Sequence, residues 1–299
     1  MTWHSGGWRP QRLGSVTLEV PDPAATADFL STGLHFDVAA SGSGGWTATT
    51  GSDYGAAPPA RTLTLRPGPA LRLVEVTFDV RSTEDLPELQ ESAGKVGARV
   101  EEVAPDKDGG RGVVVVDGDG LRLVCRVPAP ARTSPLPASP VRPRRLGHLN
   151  LATESPGHTA TLLSSVLGLR LSEQIGDRLF FLRVGSEHHN VGIRPTSGPE
   201  PGVHHIAFEV SGWEAYRVVC DHLAAHGLTV EYGPGRHIPG QSLFTYVRDP
   251  SSGLRLELFS DMAHINDEQT YEPIKWEMTD RPQTINQWGP GPPEAYLAG

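Results

Sequence analysis

The sequence predicts an α+β protein of four βαβββ modules, paired into two halves with curved mixed sheets. Three observations predict it. The second half of the chain repeats the first. Leu13-Gly14-Ser15 stands beside Leu146-Gly147-His148, Val74 through Val80 beside His204 through Val210, and Gly120 through Val124 beside Gly253 through Glu257. The offsets are 133, 130 and 133 residues, so one register nearly holds throughout. Within each half, a strand, a helix and several strands recur twice. Finally, a Pro-rich stretch from Pro128 to Pro143 separates the halves and reads as a semi-extended linker.

A chain of 299 residues is long enough for about two domains, each with a real core. The repeat sets the boundaries: residues 1–127, a linker over 128–143, a second domain over 144–262, and a tail over 263–299 without a repeat partner. That tail carries Trp276, Trp288 and several prolines. It is expected to be packed but irregular, docked on its own domain, closing a pocket as a lid, or lying at a subunit interface.

The first module opens with a strand at Ser15–Val20, a helix from Asp22 through Leu30, and strands through about Leu65. The second has a strand at Leu73–Val80, a helix opened by Ser82, and strands ending at Val127. The third begins with a strand at His148–Ala152 and a helix with Ser155 as N-cap and Pro156 at its first position, where a missing N–H costs nothing. The fourth has a strand at His205–Val210 and a helix from Trp213 to His226 closed by Gly227. Its last strands are Ser242–Val247 and Leu254–Phe259.

Strand parity fixes where polar residues point, because side chains alternate faces. Ile206, Phe208 and Val210 share one face, and His205, Ala207 and Glu209 the other. Glu257 lies opposite Leu256 and Leu258, and His148 opposite Leu149 and Leu151. With helices on the apolar faces, the opposite faces line a concave surface. His148, His205 and Glu257 fall at the repeat positions of Ser15, Glu75 and Val124, which cannot hold a metal in the same way.

Composition narrows the function. The formal charge is −9 and the pI about 5.7, which argues against nucleic acid or an anionic membrane surface as partner. No apolar run approaches the roughly 18 residues of a membrane span. Residues 1–11 show no apolar signal segment. Cys125 and Cys220 read as buried free thiols in a reducing cytoplasm. Of 12 histidines, ten lie between His148 and His264. Metal binding or proton transfer explains that crowding. His222 and His226 read as a solvated helix face, and His158 and His264 as surface residues.

Two imidazoles and one carboxylate match the facial arrangement of non-haem Fe(II) sites, which leaves three positions open for a bidentate substrate and dioxygen. A structural zinc site would add a fourth ligand, often cysteine. The surrounding motifs are Gly235-Arg236-His237, Phe244-Thr245-Tyr246, Asp249-Pro250-Ser251-Ser252-Gly253 before Glu257, and Glu187-His188-His189-Asn190-Val191. In these the chain resembles the type I extradiol ring-cleaving dioxygenases of the vicinal oxygen chelate superfamily, from about Leu13 to Phe259. The doubled serine adds one residue to the family's turn.

The resemblance implies two vicinal-oxygen-chelate domains, the first without metal. It implies His148, His205 and Glu257 as ligands of Fe(II), with Mn(II) as the alternative. It implies His189 as the acid–base residue, and His237 and Tyr246 as contacts to the substrate hydroxyls. A catechol and dioxygen are the expected substrates, a hydroxymuconic semialdehyde-type compound the product, and a homo-oligomer the expected assembly. Gly233-Pro234-Gly235, Ile238, Pro239 and Phe244 are expected to shape the pocket, which should lie wholly in the second half. Two other readings compete: a metal-dependent isomerase or lyase on the same scaffold, and a protein that only binds and sequesters a small molecule.

Overall fold

The structure is a computed structural model that describes residues 10–51, 62–103, 111–128, 136, 139–196, 201–280 and 285–297. Most of the Pro-rich linker lies outside the described residues. The first half runs β1 (Arg12–Val20), α1 (Pro23–Leu34), β2 (Asp37–Ser41), β3 (Gly45–Thr49), β4 (Leu63–Pro67), β5 (Arg72–Asp79), α2 (Leu86–Lys95), β6 (Arg99–Val103), β7 (Gly112–Val116) and β8 (Arg122–Arg126). The second runs β9 (Arg145–Thr153), α3 (Pro156–Leu167), β10 (Arg170–Ile175), β11 (Leu179–Arg183), β12 (Val191–Pro195), β13 (Gly202–Glu209), α4 (Trp213–Ala225), β14 (Val230–Arg236), β15 (Leu243–Arg248) and β16 (Arg255–Ser260). A further strand, β17 (Ile274–Trp276), and a short helix, α5 (Glu294–Leu297), follow.

Among the described residues the strands form two mixed sheets. The order is β2-β3-β4-β1-β5-β8-β7-β6 in one and β14-β15-β16-β13-β9-β12-β11-β10-β17 in the other. The repeat is visible strand by strand. Each module's first strand runs parallel to its last, as β1 with β4 and β9 with β12. The two first strands of each half pair antiparallel at the sheet centre. The register repeats as well: Ser15 faces Thr77 and Thr17 faces Glu75, as His148 faces Ala207 and Asn150 faces His205.

Helices cover the apolar strand faces because their buried residues recur at helical spacing. In α3, Thr159, Leu163, Val166 and Leu167 are fully or almost fully buried. At the start of α1, the Asp22 carboxylate accepts hydrogen bonds from the amides of Ala24 and Ala25, both at 3.0 Å, which satisfies two orphan donors. Ser155 precedes Pro156 as expected, but its side chain makes no capping bond. Its carbonyl instead accepts from Thr159.

The two halves share one apolar core. Phe36 meets Phe208 edge-on at 5.0 Å, and the Thr26 hydroxyl donates to the buried Asp249 carboxylate at 2.8 Å. His222 is not simply solvated: its Nε2–H donates to the Thr32 carbonyl of the first half at 2.7 Å. Cys125 is buried as expected, whereas Cys220 is only half-buried. The tail departs most from expectation. Trp276 and its neighbours add a ninth strand, parallel to β10, and α5 buries Tyr296. Among the described residues no helix is long and apolar enough to cross a membrane.

Candidate metal centre and active site

His148 on β9, His205 on β13 and Glu257 on β16 are all buried and come together: one ligand atom from each lies within 4.8 Å of the others. The strand order explains the meeting, since β16, β13 and β9 are consecutive neighbours. Ala207 faces His148 on one side and Glu257 on the other. In the first half the equivalent strands carry Ser15, Glu75 and Val124, and Glu75 there accepts a bond from the Thr17 hydroxyl.

Two irregularities aim the side chains. The β9–β13 register shifts at Gly147, beside His148, where the Phe259 ring occupies the space a Cβ would need. It shifts again at His204, between the pairs of Val203 and His205. A bulge of this kind lets consecutive residues project toward one side. His204 and His205 therefore both line the cavity, which simple parity denied.

The proton positions follow from the partners. A peptide carbonyl only accepts, so His204 Nε2 must carry the hydrogen it donates to the Tyr296 carbonyl at 2.8 Å. Burial first, then the neighbouring His205, pushes the His204 pKa far down, so the ring is neutral and its Nδ1 holds a lone pair. That lone pair accepts from His205 Nδ1–H at 2.8 Å. The free lone pair of His205 is thus on Nε2, which sits 3.1 Å from Glu257 Oε2. Burial lowers the His205 pKa to about 4, against the opposing pull of Glu257. Burial alone would raise the Glu257 pKa, but His148 and His205 more than offset this and hold it well below the usual carboxylate range. A neutral nitrogen and an ionised oxygen then face each other lone pair to lone pair. A cation between them resolves the conflict. His148 Nε2 is also 3.1 Å from the same oxygen, while Glu257 Oε1 is buried with no hydrogen-bond partner among the described residues. The donor set fits a divalent metal with open positions.

The other expected residues join the same cavity of ≈ 80 Å³. His189 packs 4.3 Å from the His148 ring, and burial, then His148 and His188, pushes its pKa well down. His237 Nδ1–H donates to the Ile285 carbonyl at 2.5 Å, which leaves its lone pair on Nε2, 3.2 Å from the Tyr246 hydroxyl. Tyr246 donates its one proton to Glu257 Oε2 at 2.9 Å. Burial, then Glu257, raises the Tyr246 pKa well above that of a free phenol. Phe244 stacks on His237 at 4.0 Å rather than lining the cavity, and Pro239 does line it.

The described lining lies wholly in the second half and its tail. Ile175, Leu179, Phe181 and Ile285 form apolar wall; Asn150 and Arg194 are its further polar members. Tyr296 also lines it, edge-on to Tyr246 at 4.8 Å and under the Arg255 guanidinium. Asn150 was legible by parity, two residues beyond His148 on one strand face. Tyr296 carried no sequence signal, because nothing in the repeat points to the tail. A larger cleft of ≈ 710 Å³ opens between the halves. Its Arg145 already pairs with Glu187 and Glu209, and His148, His205 and Glu257 lie outside it.

Residues 145–258 match the profile of a family described as the Glyoxalase/Bleomycin resistance protein/Dioxygenase superfamily. This segment belongs to that superfamily. A manganese-dependent 2,3-dihydroxybiphenyl 1,2-dioxygenase of Geobacillus genomosp. 3 is 28% identical over 250 residues, covering 77% of this chain and 79% of its own length. A metapyrocatechase of Geobacillus stearothermophilus is 33% identical over 162 residues, but that match spans 52% of this chain and 49% of the relative. The likeness to solved structures in fold covers both halves. A homoprotocatechuate 2,3-dioxygenase from Brevibacterium fuscum, in complex with 3,4-dihydroxyphenylacetate, superposes with a TM-score of 0.85 at 21% identity, over 99% of this chain and 93% of that one.

Proposed function

We propose that this protein cleaves a catechol-type ring with dioxygen on the extradiol side, with Fe(II) held by His148, His205 and Glu257. The product is a hydroxymuconic semialdehyde-type compound. One observation carries the reading: His189, His237 and Tyr246 share a single small cavity with the three ligands. A metal-dependent isomerase or lyase has no need of that additional set, and a sequestering protein has no need of the ligands. Mn(II) is the second reading for the ion, favoured by the manganese-dependent relative at 28% identity.

When bound, the divalent ion supplies Lewis acidity and access to dioxygen chemistry. The chain's own residues supply the rest. Ionised Glu257 with neutral His205, His189 and His237 gives the side chains one negative charge. With a divalent ion these groups carry a net positive charge, and the Arg194 guanidinium on the cavity wall adds to it, which favours a deprotonated catechol. His237 Nε2 presents a lone pair toward a substrate hydroxyl, since its other nitrogen is committed to Ile285. Tyr246 has one proton for two acceptors, so a substrate hydroxyl that bonds to His237 leaves that proton with Glu257. His189 is neutral at rest because burial disfavours its charge. Negative charge arriving on the substrate makes it a better base, and the proton it takes is available for return as dioxygen is reduced. The apolar wall excludes water and suits a flat ring.

The test is anaerobic reconstitution with Fe(II) or, separately, Mn(II), then a catechol panel and air. Oxygen uptake with a yellow ring-opened product is expected. Bound metal with no product across the panel overturns the reading.

A further inference from the structure

The chemistry above uses His189 and leaves its neighbour unexplained. His188 is more deeply buried than His189, at 2% against 6% exposure, yet does not line the cavity. Its Nδ1 lies 3.0 Å from His189 Nδ1. Its Nε2 lies 3.1 Å from Glu173 Oε1, in a skewed approach that falls short of a well-aligned hydrogen bond, and among the described residues no other group satisfies that nitrogen. Glu173 Oε2 in turn accepts from the Trp276 indole N–H at 2.6 Å. The fold builds this row deliberately. Strand β17 sets Ile274 beside Glu173 on β10. Gly240, at φ +69°, makes room for the imidazole: a Cβ there would sit 2.7 Å from His188 Nδ1.

Two imidazole nitrogens at 3.0 Å share one proton, so one donates and the other accepts. The far end of the row decides which. An indole N–H only donates, and it orients the Glu173 carboxylate. A carboxylate only accepts, so the His188 nitrogen facing it carries hydrogen. A neutral ring with hydrogen on Nε2 has its lone pair on Nδ1. That lone pair accepts from His189 Nδ1–H and leaves the free lone pair of His189 on Nε2. We propose that His188, held by Glu173 and Trp276, is a positioning residue that fixes His189 in the tautomer able to take a proton at Nε2. The His204–His205 pair obeys the same rule, with the Tyr296 carbonyl in the place of Glu173.

The proposal rests on the reading of His189 as the acid–base residue, and its first test needs no turnover. Protein labelled with 15N at histidine and loaded with Zn(II), which is diamagnetic, is examined by long-range 1H–15N correlation. The His189 signals are assigned by their loss in His189→Phe. Hydrogen on Nδ1 and a bare Nε2 are expected in the unsubstituted protein, and a tautomer mixture in Glu173→Gln and His188→Leu. His188→Asn keeps an acceptor oxygen near the Nδ1 position and should restore the single tautomer. With Fe(II) loaded, His188→Leu should lower kcat about 10- to 100-fold, the range for outer-shell partners, with KM and metal content unchanged. His188→Asn should recover most of that loss. Hydrogen on His189 Nε2 in the unsubstituted protein overturns the proposal. So does an unaltered tautomer in both Glu173→Gln and His188→Leu, or an Asn variant no better than Leu. If the tautomers behave as stated but His189→Phe turns over normally, the acid–base reading fails instead.

Discussion

Acidifying the metal-free protein should cost it stability through His205, and the size of the effect can be worked out. Folded, the ring titrates at about 4 because it is buried; its ordinary value is 6.5. Between those values the unfolded chain binds a proton that the folded chain refuses. Stability contributed by a base with a depressed pKa is therefore full above 6.5 and falls as the pH drops from 6.5 toward 4. Moving from pH 7 to pH 5 removes about 2 kcal/mol through this one residue, at about 1.4 kcal/mol per pH unit once below 6.5. The perturbation is His205→Gln, which keeps a polar side chain of similar reach and cannot titrate. Urea unfolding of chelator-treated protein at each pH is the assay. The unsubstituted protein should lose about 2 kcal/mol more than the variant over that interval. Equal losses would refute a neutral, buried His205, and with it the lone-pair conflict that calls for a cation.

Glu257→Gln should remove the one negative charge among His148, His205 and Glu257 and weaken metal binding by more than about 100-fold, beyond the loss of an outer-shell partner; metal analysis after dialysis reads it. His189→Phe should retain near-normal metal content and slow turnover about 10²- to 10⁴-fold, the span of general acid–base catalysis; loss of the metal would mean that His189 is a ligand. Leu163→Ala on the fully buried face of α3 should cost about 2–5 kcal/mol of unfolding free energy by denaturant titration and leave metal affinity unchanged.

The repeat made the sheets legible. A 133-residue offset recurred in the structure as strand order and register, because equivalent strands carry equivalent apolar faces. It also made the asymmetry of His148, His205 and Glu257 visible before any fold was known. Parity placed His205 correctly but missed that His204 lines the same cavity, since a register shift at a bulge is not written in alternation. His188 and His189 lie outside the regular strands, where parity has no purchase. Glu173, Trp276 and Tyr296 were out of reach for a different reason. Their roles come from β10, β17 and α5 meeting in space, at sequence separations of 103 residues between Trp276 and Glu173 and 92 between Tyr296 and His204.

The most direct test of the account is isotopic. Fe(II)-loaded protein is given a catechol under 18O2, and the aldehyde is trapped by reduction before it exchanges with water. Ring cleavage at this site adds dioxygen whole, so the product should carry both labelled atoms, one in the new carboxylate and one at the trapped carbon, with one O2 consumed per ring opened. A product with one labelled atom or none, or a catechol oxidised to quinone without ring opening, would contradict it.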